Sequence, residues 1–251
     1  ETRDISGQTP LMYAARASTE RLVSVLLEAG ADLGARDDEG ETALMHAARS
    51  NATAGVVSTL IKDGEYLESR SENGWTALMC AASLNTAEVV SVLIEAGAES
   101  EASNNRGWTP LMFAAYGNTA EVVSVLIKAR AKLEVRNDEG LTALMLAAVH
   151  NTAEVVSVLI KARAKLSGID LYSVTPLILA AGNNPNPVVI AVLLKAGAKI
   201  EDRDESSMTA LMHAVRGNTS EVVSVLIKAG AKLNWRENQD GWNALMYAAM
   251  L

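Results

Sequence analysis

The sequence predicts an all-α solenoid of stacked helix-turn-helix units, and three observations carry that prediction. The chain copies itself: "NTAEVVSVLI" stands unchanged at residues 85–94, 118–127 and 151–160, and as "NTSEVVSVLI" at 218–227. Gly-x-Thr-x-Leu steps, with Ser or Asn substituted in places, are anchored at Gly7, Gly40, Gly74, Gly107, Gly140, Ser173, Ser207 and Gly241, at intervals of 33, 34, 33, 33, 33, 34 and 34 residues. A period of that length marks an array of supersecondary units, each burying its neighbour's apolar side. Finally, 49% of the residues are hydrophobic but only 4% are aromatic. Ala, Val, Leu and Met supply the rest, which suits close packing of short helices better than one deep aromatic core.

Each unit reads in the same order. Thr-Pro or Thr-Ala opens a short first helix, as in "TPLMYAA" at 9–15 and "TALMLAA" at 142–148. Threonine suits the N-cap, and Pro10, Pro110 and Pro176 suit the first helical position, where no amide donor is needed. Asn85, Asn118, Asn151 and Asn218 break the chain, and a left-handed backbone is expected there because asparagine tolerates it. A second helix follows, for example over 119–129. Glu121 favours its first turn, and Val122, Val123, Leu126 and Ile127 form its buried stripe. Gly30, Gly64, Gly97, Gly197 and Gly230 end the second helices as left-handed caps. A turn such as "NDEG" at 137–140 leads onward, its Asn or Asp starting a local side-chain bond. The longer intervals fall at turns: "SNATAG" (50–55), "GNNPNP" (182–187), where Asn186 and Pro187 restart the helix, and "WRENQDG" (235–241).

These motifs together resemble the ankyrin repeat family: the period, Thr-Pro-Leu-x-x-Ala-Ala, Val-Leu-Leu/Ile and Ala-Gly-Ala recur in register over essentially the whole chain. The resemblance implies an ankyrin-repeat solenoid of antiparallel helix pairs with projecting β-hairpin-like loops lining a concave face. Residues 1–251 are then one domain of seven repeats plus a partial eighth. Where the family commonly has His, this chain has Met12, Met45, Met79, Met112, Met145, Met212 and Met246, with Ile178 in the sixth unit. Methionine fills irregular gaps well, so this row is expected to be core between repeats.

Composition and motifs argue against catalysis. The net charge of −8 is unfavourable for general binding to phosphate backbones. It is uneven: residues 1–100 carry 7 Lys+Arg against 16 Asp+Glu, and residues 101–251 carry 15 against 14. That division matches either a drifting solvated surface or two ends that meet different partners. The longest apolar runs, such as "VVIAVLL" at 188–194, are far too short to span a membrane. Cys80 is the lone cysteine, so neither an intrachain disulfide nor a cysteine zinc site is available. His46 and His213 hold one repeat position five units apart, expected to be semi-exposed, and with His150 they do not converge on a metal. Cys80 takes that same position as a small packing residue. The recurring Ser91, Ser124, Ser157 and Ser224 have no matching His or Asp for a nucleophilic triad. Acidic pairs such as Asp138–Glu139 and Asp204–Glu205 read as solvated turn tips. No enzyme, cofactor or metal is expected. The chain opens on Glu1 without Met, which leaves a removed leader or further domains open, and with them the compartment.

The informative residues are those where repetition relaxes. After each anchor stand Gln8, Glu41, Trp75, Trp108, Leu141, Val174, Met208 and Trp242; by resemblance this position lies on the projecting loop. The apolar ones either pack across neighbouring loops or form an exposed strip, and Trp is a typical interface anchor. Four residues before the anchors come Arg3, Arg36, Arg70, Arg136 and Arg203, with Ser103 and Ile169 as exceptions and Arg236 shifted. They read as a ladder of surface ion pairs or as a grip on a partner's carboxylates. Positions after Ala-Ala vary too, among them Arg16, Arg49, Leu84, Tyr116, Val149, His150 and Arg216. Arg130 and Arg163 replace capping glycines within "IKARAK", beside Lys128, Lys132, Lys161 and Lys165; this is a basic patch on the convex edge or drift after duplication. The expected function is non-catalytic binding of a protein or peptide partner, centred on Trp75, Trp108, Phe113 and Tyr116, with Leu141, Arg70, Arg136, Met208 and Trp242 contributing. The alternatives are self-association through the apolar last unit, "NALMYAAML" at 243–251, and a targeting arm of a larger protein.

Overall fold

The computed structural model describes residues 2–250 except 18, 51, 62, 63, 65 and 218. Asn218, one of the predicted breakers, therefore lies outside the described residues. Among those described there are fifteen helices and no strand. They fall into two compact units, Glu1–Lys132 and Leu133–Leu251.

In the first unit the first helices of successive repeats are α1 (Pro10–Arg16), α3 (Ala43–Arg49), α5 (Ala77–Leu84) and α7 (Pro110–Gly117). The second helices are α2 (Glu20–Glu28), α4 (Ala54–Leu60), α6 (Ala87–Glu95) and α8 (Ala120–Lys128). Numbering continues into the second unit. There α9 (Ala143–His150), α11 (Pro176–Asn183), α13 (Ala210–Gly217) and α15 (Ala244–Ala248) are first helices, and α10 (Ala153–Lys161), α12 (Pro187–Lys195) and α14 (Ser220–Lys228) are second helices. Within each unit first helices stack on first helices and second on second. The predicted caps are in place: the hydroxyls of Thr9, Thr42, Thr76, Thr109, Thr142 and Thr175 accept the third helical amide, and Pro10, Pro110 and Pro176 open their helices. Asn186 and Pro187 restart α12 as expected.

The methionine row is core. Met12, Met45, Met79, Met112, Met145, Ile178 and Met212 are fully buried, together with the Ala-Ala pairs that let first helices approach one another. Met246 in α15 is 40% exposed. In two units the thioether also accepts the N-cap amide, from Thr9 to Met12 (3.3 Å) and from Thr142 to Met145 (3.5 Å). On α8, Val122, Val123 and Leu126 are buried as expected, whereas Ile127 is only half-buried.

Two expectations need correction. Asn85, Asn118 and Asn151 are extended, with φ between −109° and −118°, not left-handed. Their work is done by the side chain: each Oδ1 accepts the following Thr amide (2.7–2.8 Å). Asn85 and Asn118 also donate Nδ2–H back to the preceding first helix, at Ala48 and Ala82 (3.0 and 2.9 Å). Asn184 reaches Ala148 in the same way. The second correction concerns the arginine row, which makes no ion pairs among the described residues. Arg3, Arg36, Arg70 and Arg136 each donate from Nη1 to the carbonyl of their own anchor glycine and to a carbonyl of the next loop, at Arg36, Arg70, Ser103 and Ile169 respectively. The two exceptions in the row are thus acceptors for the arginine before them.

The loops are hairpin-like by backbone bonding. In the second repeat Asp37 N–H donates to Glu41 O and Gly40 N–H to Asp37 O, while Glu72 N–H of the next loop donates to Glu39 O (2.9 Å). That stitch explains the anchor glycines: Gly74 has φ 76°, and a Cβ there would lie 2.9 Å from the backbone nitrogen of Asn105. In the lengthened last loop Glu237 takes the place of Asp or Asn. Its longer side chain accepts the amides of Gln239, Asp240 and Trp242 across the extra residue, which holds its carboxyl below the usual range.

Candidate protein-binding face

Four positions per repeat build the hairpin and first-helix face: the turn residue three before the anchor, then the residues four, nine and twelve later. The turn residue accepts hairpin amides through one oxygen, as Asp37 Oδ1 does from Glu39 and Glu41 (3.0 and 2.8 Å). What its other atom meets depends on the first helix. In repeats one, two and seven it is a carboxylate oxygen facing a polar ring. Asp4 Oδ2 accepts the Tyr13 hydroxyl (2.7 Å), and Asp37 Oδ2 and Asp204 Oδ2 each lie 2.8 Å from Nε2 of His46 and His213. The Tyr13 bond lowers the Asp4 pKa and raises that of Tyr13. An arginine closes each polar set: Arg16 donates to Gln8 (3.4 Å), Arg49 pairs with Glu41, and Arg216 reaches the Met208 sulfur (3.4 Å).

The expectation of semi-exposed histidines is therefore corrected for His46, which is 7% exposed and tied to a buried aspartate. Asp204 is likewise bonded to His213, not a freely solvated tip, whereas Asp138 and Glu139 are exposed. Sequence reasoning missed this network; the nine-residue spacing of Asp to Tyr or His, and the twelve-residue spacing of Asp to Arg, are the signals that could have found it. Donor atoms of Asp37, Glu41 and His46 lie within 4.8 Å of one another. Asp37 is engaged by two amides and His46, and Glu41 by Arg49, so a cation would have to displace the arginine.

In repeats three and four the same positions are apolar. Trp75 and Trp108, at the loop position, stack on Phe113 of α7 with ring centroids 4.1 and 5.1 Å away, and Tyr116 meets Trp108 edge-on at 5.6 Å. Phe113 is 9% exposed and forms the floor; the two indoles are half-buried, and Tyr116 is 44% exposed. Leu84 at the end of α5 is also exposed. The two sequence readings of this strip therefore coexist, with one side of each indole packed and part of it open. Arg49 joins the row, its guanidinium 4.9 Å from the Trp75 ring centre. Beside Trp75 opens a pocket of about 510 Å³ lined by Arg16, Glu41, His46, Arg49, Asn73 and neighbouring hairpin atoms. Cys80, under this face, is fully buried, and burial pushes its thiol up to about 12 although Arg49 pulls the other way; it packs in the core as a small side chain.

The remaining predicted site residues are dispersed. Arg70 is held by the loop carbonyls of its own and the next repeat, as is Arg136 in the second unit. Leu141 is half-buried. Met208 is only 5% exposed, so it offers no open apolar face. Trp242 packs on Tyr247 at 5.3 Å.

Comparison with known proteins agrees with this architecture. A family model described as ankyrin repeats (3 copies) matches residues 1–71, 52–137, 119–204 and 177–251. No curated protein matches the chain. Among solved structures, the crystal structure of the human ASB11 ankyrin repeat domain superposes with a TM-score of 0.80 at 22% identity. It covers 90% of this chain and 99% of that one. At that identity the likeness is one of fold.

Proposed function

The chain belongs to the ankyrin repeat family, whose repeats generally mediate protein–protein interaction, and from that premise we propose that it is a non-catalytic scaffold binding a protein partner on the hairpin and first-helix face of repeats two to four. One observation carries the reading: the continuous aromatic cluster of Trp75, Phe113, Trp108 and Tyr116, floored by buried Phe113 and open on its upper side. Such pre-packed aromatic anchors lose little side-chain freedom when a partner covers them, and Trp and Tyr are enriched among residues that dominate binding energy. The adjoining pocket, walled by Arg16, His46, the Arg49–Glu41 pair and Trp75, gives one partner side chain a place to insert. The family-model matches cross residue 132 without a break, which supports treating residues 1–251 as one repeat domain. Arg70, Arg136, Met208 and Trp242 serve stacking in this reading, and the partner's contacts concentrate on the aromatic cluster. A second reading, self-association through the last unit, rests on exposed Leu245 and Met246 in α15 and Met250 just beyond it; a monomer in sedimentation at high concentration rejects it.

The test is capture of a partner followed by its identification and direct titration. Trp75→Ala with Trp108→Ala should abolish capture while helicity is unchanged; capture that survives both substitutions removes the proposed centre.

A further inference from the structure

The hairpin face leaves one anomaly unexplained. Arg130 and Arg163 hold φ values of 64° and 73° where the other second helices end on glycine. Their capping bonds are the ordinary ones: Arg163 N–H to Ile160 O (2.8 Å) and Ala164 N–H to Leu159 O (3.0 Å), matching Gly197 and Gly230. At Gly197 and Gly230 an added Cβ would meet nothing within 4 Å. Nothing in the fold requires an arginine there, and the left-handed conformation is unfavourable for it. A strained residue kept in an exposed position without a packing reason is a pointer to function.

In the second unit that residue sits in a row of cations. α10, α12 and α14 pack in succession, and each ends on a lysine: Lys161, Lys195 and Lys228. A lysine at a helix C-terminus complements the helix dipole, so these three alone would need no further role. Lys165, Lys199 and Lys232 lie four residues further on, beyond the dipole's reach, and Arg163 stands between the first pair. All seven are exposed, and none takes part in an ion pair among the described residues. The acidic groups on this edge are Glu134, Glu201 and Asp202. Glu134 and Glu201 accept the backbone amides of Lys165 and Lys232 (2.8 and 2.9 Å), not the lysine ammoniums. The corresponding positions in repeats one and three have the opposite sign: Glu28 and Asp32, Glu95 and Glu99. Side-chain charge on this edge is thus set repeat by repeat.

We propose that the edge formed by the C-terminal ends of α10, α12 and α14 is a second docking surface, one that binds an extended acidic segment of a protein partner. The chemistry fits such a segment: three steps of cations at the repeat spacing and long flexible ammoniums suited to carboxylates spaced along an extended chain, while the one aromatic beside them, half-buried Trp235, is already met by Arg203 (4.5 Å) and Lys232 (5.4 Å). This extends the protein-binding reading to a second set of residues, in the second unit, and uses none of its aromatic residues.

The probe is a fluorescein-labelled decaglutamate peptide titrated with the full chain and followed by anisotropy. For a protein of net charge −8, saturable binding of a polyanion demands a local basic site. The expected result is binding that weakens at least about tenfold between about 50 and 500 mM salt, and by about tenfold in Lys195→Gln/Lys228→Gln. Arg163→Gly separates function from drift: it should weaken the peptide about threefold while raising the melting temperature, since the strain is removed. An affinity unchanged in Arg163→Gly and in the lysine variant overturns the proposal, as does the absence of saturable binding. Preference for vesicles of phosphatidylcholine with about 30% phosphatidylserine over the peptide also overturns it, in favour of a lipid surface. Trp75→Ala/Trp108→Ala should leave the titration unmoved, so failure here and failure at the aromatic face are told apart.

Discussion

Replacing His46 by Leu tests the polar network beneath the hairpin face, because the chain contains both the charged and the neutral solution at this position. Asp37 is nearly inaccessible, and its Oδ2 has His46 Nε2 at 2.8 Å while Oδ1 holds two amides. His46→Leu leaves a carboxylate oxygen buried without that partner. A hydrogen bond to a charged group contributes about 1.5–3 kcal/mol, and the added apolar burial offsets a fraction of it. The expected loss is about 2 kcal/mol. Repeat five shows the neutral alternative: Asn137 keeps the two amide bonds through Oδ1, its buried Nδ2 has no hydrogen-bond partner among the described residues, and the residue nine later is Leu146. Asp37→Asn alone should therefore lose about 1 kcal/mol, and Asp37→Asn/His46→Leu only about 1–1.5 kcal/mol, far less than the sum. Urea denaturation followed by circular dichroism gives the cycle directly. A loss under about 0.5 kcal/mol for His46→Leu, or additivity of the two substitutions, would refute the argument. The more exposed Asp204–His213 pair should respond in the same direction with a smaller loss.

Three further outcomes follow from the same geometry. Arg130→Gly should stabilise the chain by about 0.5–1 kcal/mol, because relief of about 1–2 kcal/mol of left-handed strain is partly offset by the flexibility of unfolded glycine; Gly197→Ala should shift the thermal midpoint the opposite way. Arg70→Ala removes bonds to Gly74 O and Ser103 O (3.4 and 2.7 Å) and should lower stability by about 1 kcal/mol, yet leave partner affinity nearly unchanged; a pure affinity loss in titration would return Arg70 to the binding face. Cys80, with its thiol at about 12, should resist a thiol-reactive dye at mildly alkaline pH in the native protein and react fully in concentrated guanidinium.

Much of the fold was legible because stacking repeats impose a register on the sequence. Thr caps, N1 prolines, capping glycines and the methionine row are all set by backbone geometry or core volume, and each repeats visibly. Left-handed Ser173 and Ser207 stand where the anchor period requires them (φ 61° and 60°). What stayed hidden was the destination of long polar side chains. Nothing local in the sequence says that Arg36 will hold the Gly40 carbonyl and also reach that of Arg70, 34 residues further on, or that Asn85 will reach back to Ala48. Those bonds exist only after neighbouring repeats dock. The aromatic centre was half legible: the loop position flagged Trp75 and Trp108, while their packing on Phe113 and the arginine over Trp75 depend on the stacking distance. Met208 misled because its place in the series matches that of the tryptophans, yet its side chain is enclosed and met by Arg216.

Hydrogen–deuterium exchange of the chain with and without its identified partner reports where the partner sits. Binding at the aromatic cluster should concentrate protection on the hairpins and first helices around residues 73–84 and 106–117, with the second helices α4, α6 and α8 unchanged. Protection confined to those second helices, with the Trp75 and Trp108 hairpins exchanging as in the free protein, would contradict it.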